Sequence, residues 1–336
     1  MTALPELHVI GASDVLAAVE GHREECLDAV RNAYVSHDLG ATVNPHSSFL
    51  RFPDRPGDRI IALPAYLQDE EPVSGIKWIS SFPHNTDAGV PRASAVLVLN
   101  NHETGYPAVL LEASVLSATR TAASAALGAE TLLGNRRASR VAVVGTGLIA
   151  RHIVSFLIGL GWEVGSYHPF DLCAERADAF TKWIYEHGEV AESATTLEEA
   201  VCTSDLVILA TVASEPHLTD PALLAHNPVV LHVSLRDIGP EIVLSAYNVT
   251  DDIDHAVREH TSLHLAEQQV GNHDFIHTTI GGLLRDPSPR PEDKPAIFAP
   301  FGLGILDLAI GRFATNQARI NDAGIHIADF FQGVDA

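Results

Sequence analysis

Residues Val141–Ala150 read VAVVGTGLIA: four apolar residues run into Gly145-Thr146-Gly147 and then into an apolar helical pattern. A strand that ends on a glycine turn and restarts at once as a helix admits few folds. The first glycine permits the tight turn, the second lets a ligand approach the backbone, and the small Ala150 lets helix and strand pack closely. Free N–H groups and the positive dipole end at the helix start suit a pyrophosphate. A lone Gly-x-Gly-x-x-Ala is weak evidence, so its setting decides. From Arg140 the pattern alternates: strand Arg140–Val144, helix, strand Glu163–Tyr167, helix from Asp171, then strands Leu206–Thr211, Val229–Ser234 and Tyr247–Thr250. Such alternation predicts an α/β protein with a Rossmann-type, doubly wound parallel sheet. The strand in DLVILATV is apolar almost throughout, as expected of one covered on both faces.

What precedes the glycine turn has a different texture. Ser13 is expected to cap a helix running to about Asp38, stopped by Gly40. A polar, Pro-containing stretch, NPHSSFLRFPDRPGDR, follows. Strands are expected at Arg59–Leu63, Val73–Ser81, Ser94–Leu99 and Tyr106–Glu112, with hairpin-turn chemistry in Asn100–Gly105. This is a strand-rich α+β unit. An Ala-rich helix, Ser114–Leu133, ended by Gly134, bridges to the alternating part. Beyond the Pro-rich loop RDPSPRPEDKP, the stretch PFGLGILDLAIGRFA begins another apolar helix, expected to return to the first unit.

Charge narrows the partners. Of 336 residues, 21 are Lys or Arg and 43 Asp or Glu, giving a net charge of −22. That argues against nucleic acid or anionic lipid as the main partner. An anionic substrate would need cations gathered locally. Nearly all the cations are arginines; the lysines are Lys77, Lys182 and Lys294. No apolar run has the length of a membrane span, and the N-terminus lacks the pattern of a signal peptide. Cys26, Cys173 and Cys202 form no CxxC, which points to a reducing, cytoplasmic home. His260/His264 and His273/His277 have helical metal-ligand spacing, but no HExxH occurs. They are read as solvated helix faces, and no metal is expected.

Several residues could carry chemistry. There is no GxSxG and no Tyr-x-x-x-Lys pair. Lys77, in VSGIKWIS, shares a strand face with Val73 and Ile79, opposite Ile76 and Trp78. Enclosure would lower its pKa and make it an acid–base group; an edge-strand lysine that blunts aggregation is the competing role. Arg51 and Arg92 flank the strands. Arg120 sits in SATRTAAS, where small neighbours let a ligand approach and a guanidinium can grip a carboxylate in bidentate fashion. Asp237, in LHVSLRDIGPE, follows the fourth strand of the parallel sheet, near the nicotinamide end of a bound dinucleotide, or else caps the next helix. At the end of the second strand a carboxylate normally holds the ribose. Aligning strand ends puts His168 there, with Asp171 as the cap of the following helix; this leans to NAD and leaves NADP open.

Together these pieces resemble the ornithine cyclodeaminase/mu-crystallin family. The carriers are Gly75-x-Lys77, Thr119-Arg120-Thr121-Ala122-Ala123, the Gly145-Thr146-Gly147-x-x-Ala150 finger, Asp237 after VSLR, and Phe301-Gly302-x-Gly304 leading to Asp307. The stretches NPHSSFLRFPD, RIIALPAYL, PRASAVLVLN, SLHLAEQQ and PFGLGILDLA are similar to its N-(2-amino-2-carboxyethyl)-L-glutamate dehydrogenase branch. Members of that branch oxidise a secondary amine with NAD and hydrolyse the imine to 2-oxoglutarate and 2,3-diaminopropionate, for siderophores and peptide antibiotics. The resemblance implies a substrate and dimerisation domain, 1–118 completed by 303–336, a Rossmann domain, 119–302, and a homodimer. It implies an acid–base pair, Lys77 and Asp237, and carboxylate binding by Arg51 and Arg120, with Arg92 a weaker carry-over. It implies that Thr121, Gly145, Gly147, Leu148, Ile149, His168, Thr211, Ser234 and Gly302 line the nucleotide. The family usually has an acidic residue where His168 is aligned. Competing activities are an ornithine cyclodeaminase and another amino-acid dehydrogenase or imine reductase. A non-catalytic, crystallin-like nucleotide binder is a reading of another class; Lys77, Arg120 and Asp237 together argue against it.

Overall fold

The computed structural model describes residues 5–332. It forms two compact units: one from the chain up to Arg120 together with the chain from Leu303 on, the other Thr121–Gly302.

The first unit contains β1 (Leu7–Ile10), α1 (Ala12–Glu20), α2 (Arg23–Asp38), β2 (Thr42–Val43), β3 (Ser48–Phe52), β4 (Arg55–Leu67), β5 (Val73–Ser81), β6 (Ala93–Asn100) and β7 (Pro107–Glu112). A C-terminal helix, Gly304–Ile320, and a last strand, Ile325–Ile327, complete it. Its sheet runs in the order Ile325–Ile327, β1, β7, β6, β5, β4, β2, with β3 also on β4. Only the β1–β7 pairing is parallel. The hairpin between β6 and β7 turns where expected, with Asn101 Oδ1 accepting the Thr104 N–H at 2.9 Å.

Three expectations need correction here. The single helix from Ser13 is two helices, broken at Gly21-His22, and its cap residue is Gly11. The stretch read as a polar loop contains β3, whose SFLRF pairs with β4; the flanking prolines hid its alternation. β1 and Ile325–Ile327 were not anticipated, because segments of three or four residues fix no period.

In register, Leu63, Lys77, Leu97 and Leu111 form one row across β4 to β7, and all four are buried. The C-terminal helix packs on this face. Gly311 permits the approach: a Cβ there would lie 2.2 Å from Leu97 Cδ2. Fully burying each such leucine contributes roughly 1.5–3 kcal/mol. The opposite face is open, with the cross-strand partners Trp78 and Val96 43% and 39% exposed.

Helix α3 (Ser114–Leu133) carries the chain from one unit into the other. The second unit then follows as β8 (Arg137–Val144), α4 (Leu148–Gly159), β9 (Glu163–Phe170), α5 (Ala174–Glu186), α6 (Leu197–Val201), β10 (Leu206–Leu209), β11 (Val229–His232), α7 (Pro240–Ser245), β12 (Tyr247–Thr250), α8 (Ile253–Ala256), α9 (Ser262–Val270), β13 (Ile276–Thr279), α10 (Ile280–Arg285) and β14 (Ala296–Phe298). The strand order is β13-β12-β14-β11-β10-β8-β9, parallel throughout. This is the doubly wound sheet the alternation predicts. Every residue of β10 and β11 is buried, which explains their unbroken apolar runs. Both strands end two residues earlier than expected, and the chain leaves the sheet in loops that carry Thr211 and Ser234. Among the described residues, no helix is long and apolar enough to cross a membrane.

Candidate functional site

In the first unit the chemistry gathers at Lys77. It lies mid-strand in β5, between β4 and β6, so the edge-strand role is excluded. Its side chain is 2% exposed. Nζ donates to Asp307 Oδ2 at 2.6 Å and to Ser117 Oγ at 3.2 Å. Arg120 Nε donates to the other oxygen of Asp307 at 3.3 Å. Ser117 and Arg120 are three residues apart on α3 and so share a helix face; Asp307 comes from the first turn of the C-terminal helix. Burial pulls the Lys77 ammonium down to about 8; the Asp307 carboxylate opposes this and Arg120 adds to it. Two cations share one carboxylate, so the cluster keeps a surplus positive charge when Lys77 is protonated.

Arg51 and Arg92 are not part of this cluster. Both are exposed, and the Arg51 guanidinium lies 4.9 Å from the centre of the Phe49 ring. Arg51 stands directly across from Arg59 in the β3–β4 register.

The glycine finger of the second unit has two kinds of glycine. Gly145 has φ +83°, and a Cβ there would lie 2.8 Å from the Ala210 carbonyl oxygen, so the fold itself requires glycine. A Cβ on Gly147 would meet nothing within 4 Å. Packing therefore does not demand glycine at 147, whereas a ligand close to the backbone would. Gly147 is the N-cap of α4 and makes no side-chain capping bond, and Ala150 is fully buried against the sheet. Leu148 (66% exposed), Leu172 (98%) and Val212 (83%) follow β8, β9 and β10. They give the carboxyl end of the sheet an apolar surface suited to a flat base; of the three, sequence reasoning had singled out only Leu148.

The expectation for His168 is corrected. β9 continues to Phe170, so His168 lies inside the strand, opposite Ala142 and 6% exposed. Arg140 Nη2 donates to its Nδ1 at 3.1 Å, which leaves Nε2–H to donate to Ser166 Oγ at 2.8 Å. Burial and the Arg140 charge lower its pKa. The sequence reading stopped the strand before Pro169, but β9 is an edge strand, where proline is tolerated. The residue at the strand end is Asp171. Its carboxylate accepts the Thr146 N–H and hydroxyl, each at 3.0 Å, and the Cys173 N–H at 3.1 Å. Burial pushes this carboxyl up, but these bonds and Arg176 outweigh it and hold the group below its ordinary value. Asp171 is not the cap of α5, whose N-cap is Cys173.

Asp237 is fully buried, and it is not a helix cap either, since α7 is capped by Gly239. Its Oδ1 accepts Thr211 Oγ1 at 2.5 Å and His217 Nε2 at 2.8 Å. Oδ2 accepts the Ser234 hydroxyl. Its own N–H donates to His232 Nε2 at 3.1 Å. That bond occupies the His232 lone pair, so the 3.5 Å approach of the same nitrogen to Oδ2 is a close contact, not a donated bond. Burial would raise the carboxyl, but the bonds donated by His217 foremost and by Ser234 hold it far below the usual carboxylate range. Leu235, inside this loop, has φ +77°, a conformation that costs a non-glycine residue about 1–3 kcal/mol. Sequence reasoning assigned Thr211 and Ser234 to the nucleotide; their hydroxyls are engaged with Asp237.

Thr121 sits on α3, immediately after the division between the units, and Ile149 lies in the first turn of α4. Gly302 has φ +96°, and its N–H donates to Asp251 at 2.7 Å, beside that of Phe301 at 2.9 Å. Sequence reasoning missed Asp251 and His217; the one signal for Asp251 is a carboxylate placed directly after a strand. The spaced histidines serve locally: His264 Nδ1 accepts the His260 N–H at 3.1 Å, and His277 Nδ1 accepts that of Asn248 at 3.2 Å.

Comparison with known proteins agrees with these features. The model of the ornithine cyclodeaminase/mu-crystallin family matches residues 12–320. The N-((2S)-2-amino-2-carboxyethyl)-L-glutamate dehydrogenase of Staphylococcus aureus is 29% identical, over 95% of this chain and 97% of its own. The NAD(P)H-dependent anabolic L-arginine dehydrogenase DauB of Pseudomonas aeruginosa is 29% identical over 90% and 94%. The crystal structure of CmnK superposes with a TM-score of 0.87 at 27% identity, over 98% of this chain and all of CmnK. The chain belongs to the ornithine cyclodeaminase/mu-crystallin family.

Proposed function

We propose that this protein is an NAD-dependent oxidoreductase that converts N-(2-amino-2-carboxyethyl)-L-glutamate to 2-oxoglutarate and L-2,3-diaminopropionate, for siderophore or peptide natural-product assembly. The observation that carries this reading is the Lys77 ammonium, enclosed and brought down to about 8. A secondary amine must lose its proton before the adjacent C–H can leave as hydride, and a base poised near neutrality suits that task. End-to-end similarity to the Staphylococcus aureus dehydrogenase supports the substrate class.

NAD supplies the hydride acceptor. The residues fit it: Gly147, Leu148, Ile149 and the α4 N-terminus for the pyrophosphate, and Asp171, in place of His168, for the ribose hydroxyls. A carboxylate at that position repels a 2′-phosphate, which favours NAD over NADP. Thr121 and Gly302 are assigned to the nucleotide by the family resemblance. The surplus charge around Lys77 and Arg120 suits a substrate with three carboxylates, with Arg51 assigned to it by the family resemblance and Arg92 in a lesser part. Once the imine has formed, Arg120 and Arg51 would hold the carboxylates while water adds. The open face bearing Trp78 and Val96 suits a homodimer contact, and three free cysteines suit a reducing cytoplasm.

The test is an incubation of protein and NAD with N-(2-amino-2-carboxyethyl)-glutamate, ornithine or alanine. NADH and 2-oxoglutarate should appear together, from the first compound alone. Proline and ammonia from ornithine without net NADH would sink the reading. Lys77→Ala should lower turnover by about 10²–10⁴-fold while NAD affinity stays within twofold.

A further inference from the structure

We infer that His217, held by Asp237, is the group in the nucleotide-binding unit that takes up and returns protons, and that Asp237 itself stays ionised as its positioning partner. This rests on the reading above that the chain hydrolyses an imine.

Asp237 is badly placed to exchange protons. Its side chain is fully buried, and both oxygens already accept bonds from Thr211, His217 and Ser234. A carboxylate stabilised by several donors resists protonation, whereas an acid–base group must load and unload near the working pH. Of the groups that donate to this carboxylate, His217 alone is an imidazole, a ring that can both accept and donate a proton. Its side chain is 34% exposed.

The backbone fixes it as firmly as the ring contact does. The N–H groups of His217 and Leu218 both donate to the Asp237 carbonyl, at 3.0 and 2.8 Å. Leu218 bridges Ile238, and the Gly239 N–H returns to the Leu218 carbonyl at 2.7 Å. With Nε2–H donated to the carboxylate, the neutral ring keeps its lone pair on Nδ1. Among the described residues, that nitrogen has no hydrogen-bond partner. A carboxylate that fixes one tautomer and supports the positive ring is the logic of an Asp–His dyad. Beside the pair lies His232, whose Nε2 is 3.5 Å from Asp237 Oδ2 and whose lone pair is held by the Asp237 N–H.

The steps balance. Water adds to the carbon of the protonated imine: the C–O bond forms, the C=N pair moves to nitrogen, and one water proton goes to Nδ1. The ring passes it to the amine nitrogen. As the C–N bond breaks, the carbinol O–H proton returns to Nδ1, the C=O bond forms, and the free amine takes up that proton.

Two measurements test this. The first uses whichever amine the wild-type protein oxidises. His217→Ala should lower product release about 100-fold or more, with NAD affinity unchanged, and added imidazole should restore several-fold of the loss. Asp237→Asn should lose activity without rescue. Wild-type turnover in His217→Ala, or a loss that imidazole does not touch, overturns the inference. The second needs no turnover, so it stands even if every amine is refused and the proposed function falls. Long-range 1H–15N spectra of histidine-labelled protein, assigned against His217→Asn, should show a proton on Nε2 and none on Nδ1 in the neutral ring. Asp237→Asn should remove that preference. A proton on Nδ1 in the wild type overturns it.

Discussion

Asp307 and Asp237 are both aspartates with no exposed surface, one in each unit, and their surroundings are opposite. Asp307 lies between two basic side chains, the titratable Lys77 and the permanently charged Arg120. Asp237 lies among two hydroxyls and two imidazoles. The first cluster has cation to spare; the second keeps an uncancelled anion. A buried charge is tolerated in two ways, by pairing it with a counter-charge or by surrounding it with dipoles. The two differ in what each leaves available: a cation-rich cluster offers grip on an anion, and a dipole-held anion offers orientation to a neighbouring base.

The largest effect expected from this contrast is on stability. Asp307→Asn leaves Lys77 and Arg120 without their shared anion and should cost about 3–5 kcal/mol, read as a drop in the urea midpoint. Asp237→Asn keeps the shape but turns one acceptor into a donor, and should cost about 1–3 kcal/mol. Equal costs would break the contrast.

Next comes pH. Lys77 is lowered from 10.5 to about 8 in the folded chain, so between those values the unfolded chain binds the extra proton. Stability contributed at this site therefore rises with pH through that window and is lost as pH falls below it. Relative to Lys77→Met, the wild type should gain on the order of 3 kcal/mol between pH 8 and 10.5. A flat difference would mean the lysine is charged throughout.

The two glycines of the finger should separate more finely. Gly145→Ala, strained at positive φ and against Ala210, should cost about 1–3 kcal/mol. Gly147→Ala should leave stability within about 0.5 kcal/mol and weaken NAD binding instead. Titrating NAD against both variants, alongside thermal melts, distinguishes a glycine the fold needs from one a ligand needs. The smallest effect is on cofactor choice: Asp171→Ser should shift the NAD/NADP preference about tenfold, near 1.4 kcal/mol, and His168→Asp should leave it unmoved.

The parallel sheet and the glycine finger were legible because their signals are local: alternation over tens of residues and a turn flanked by strand and helix. The strand that holds His168 was cut short because proline normally ends such runs, and edge position, which excuses it, is not visible in one sequence. Lys77 was legible as an oddity, yet its burial depends on Asp307, and nothing in the spacing of the two reveals the pair. His217 gave no signal. It sits in SEPHLTD, a polar loop, and its role follows only from a hydrogen bond to a residue 20 positions on.

The distance between Lys77 and Asp307 along the chain has a consequence for synthesis. They are 230 residues apart, with the whole second unit between them. At about 5–20 residues per second, Lys77 emerges from the ribosome roughly 10–50 seconds before its carboxylate exists. The nucleotide-binding unit, contiguous from Thr121 to Gly302, can fold in that interval. The lysine waits as an ordinary solvated ammonium, and becomes a near-neutral base only when the last helix closes over it. Nascent or truncated chains lacking that helix would carry a complete nucleotide unit and no working base.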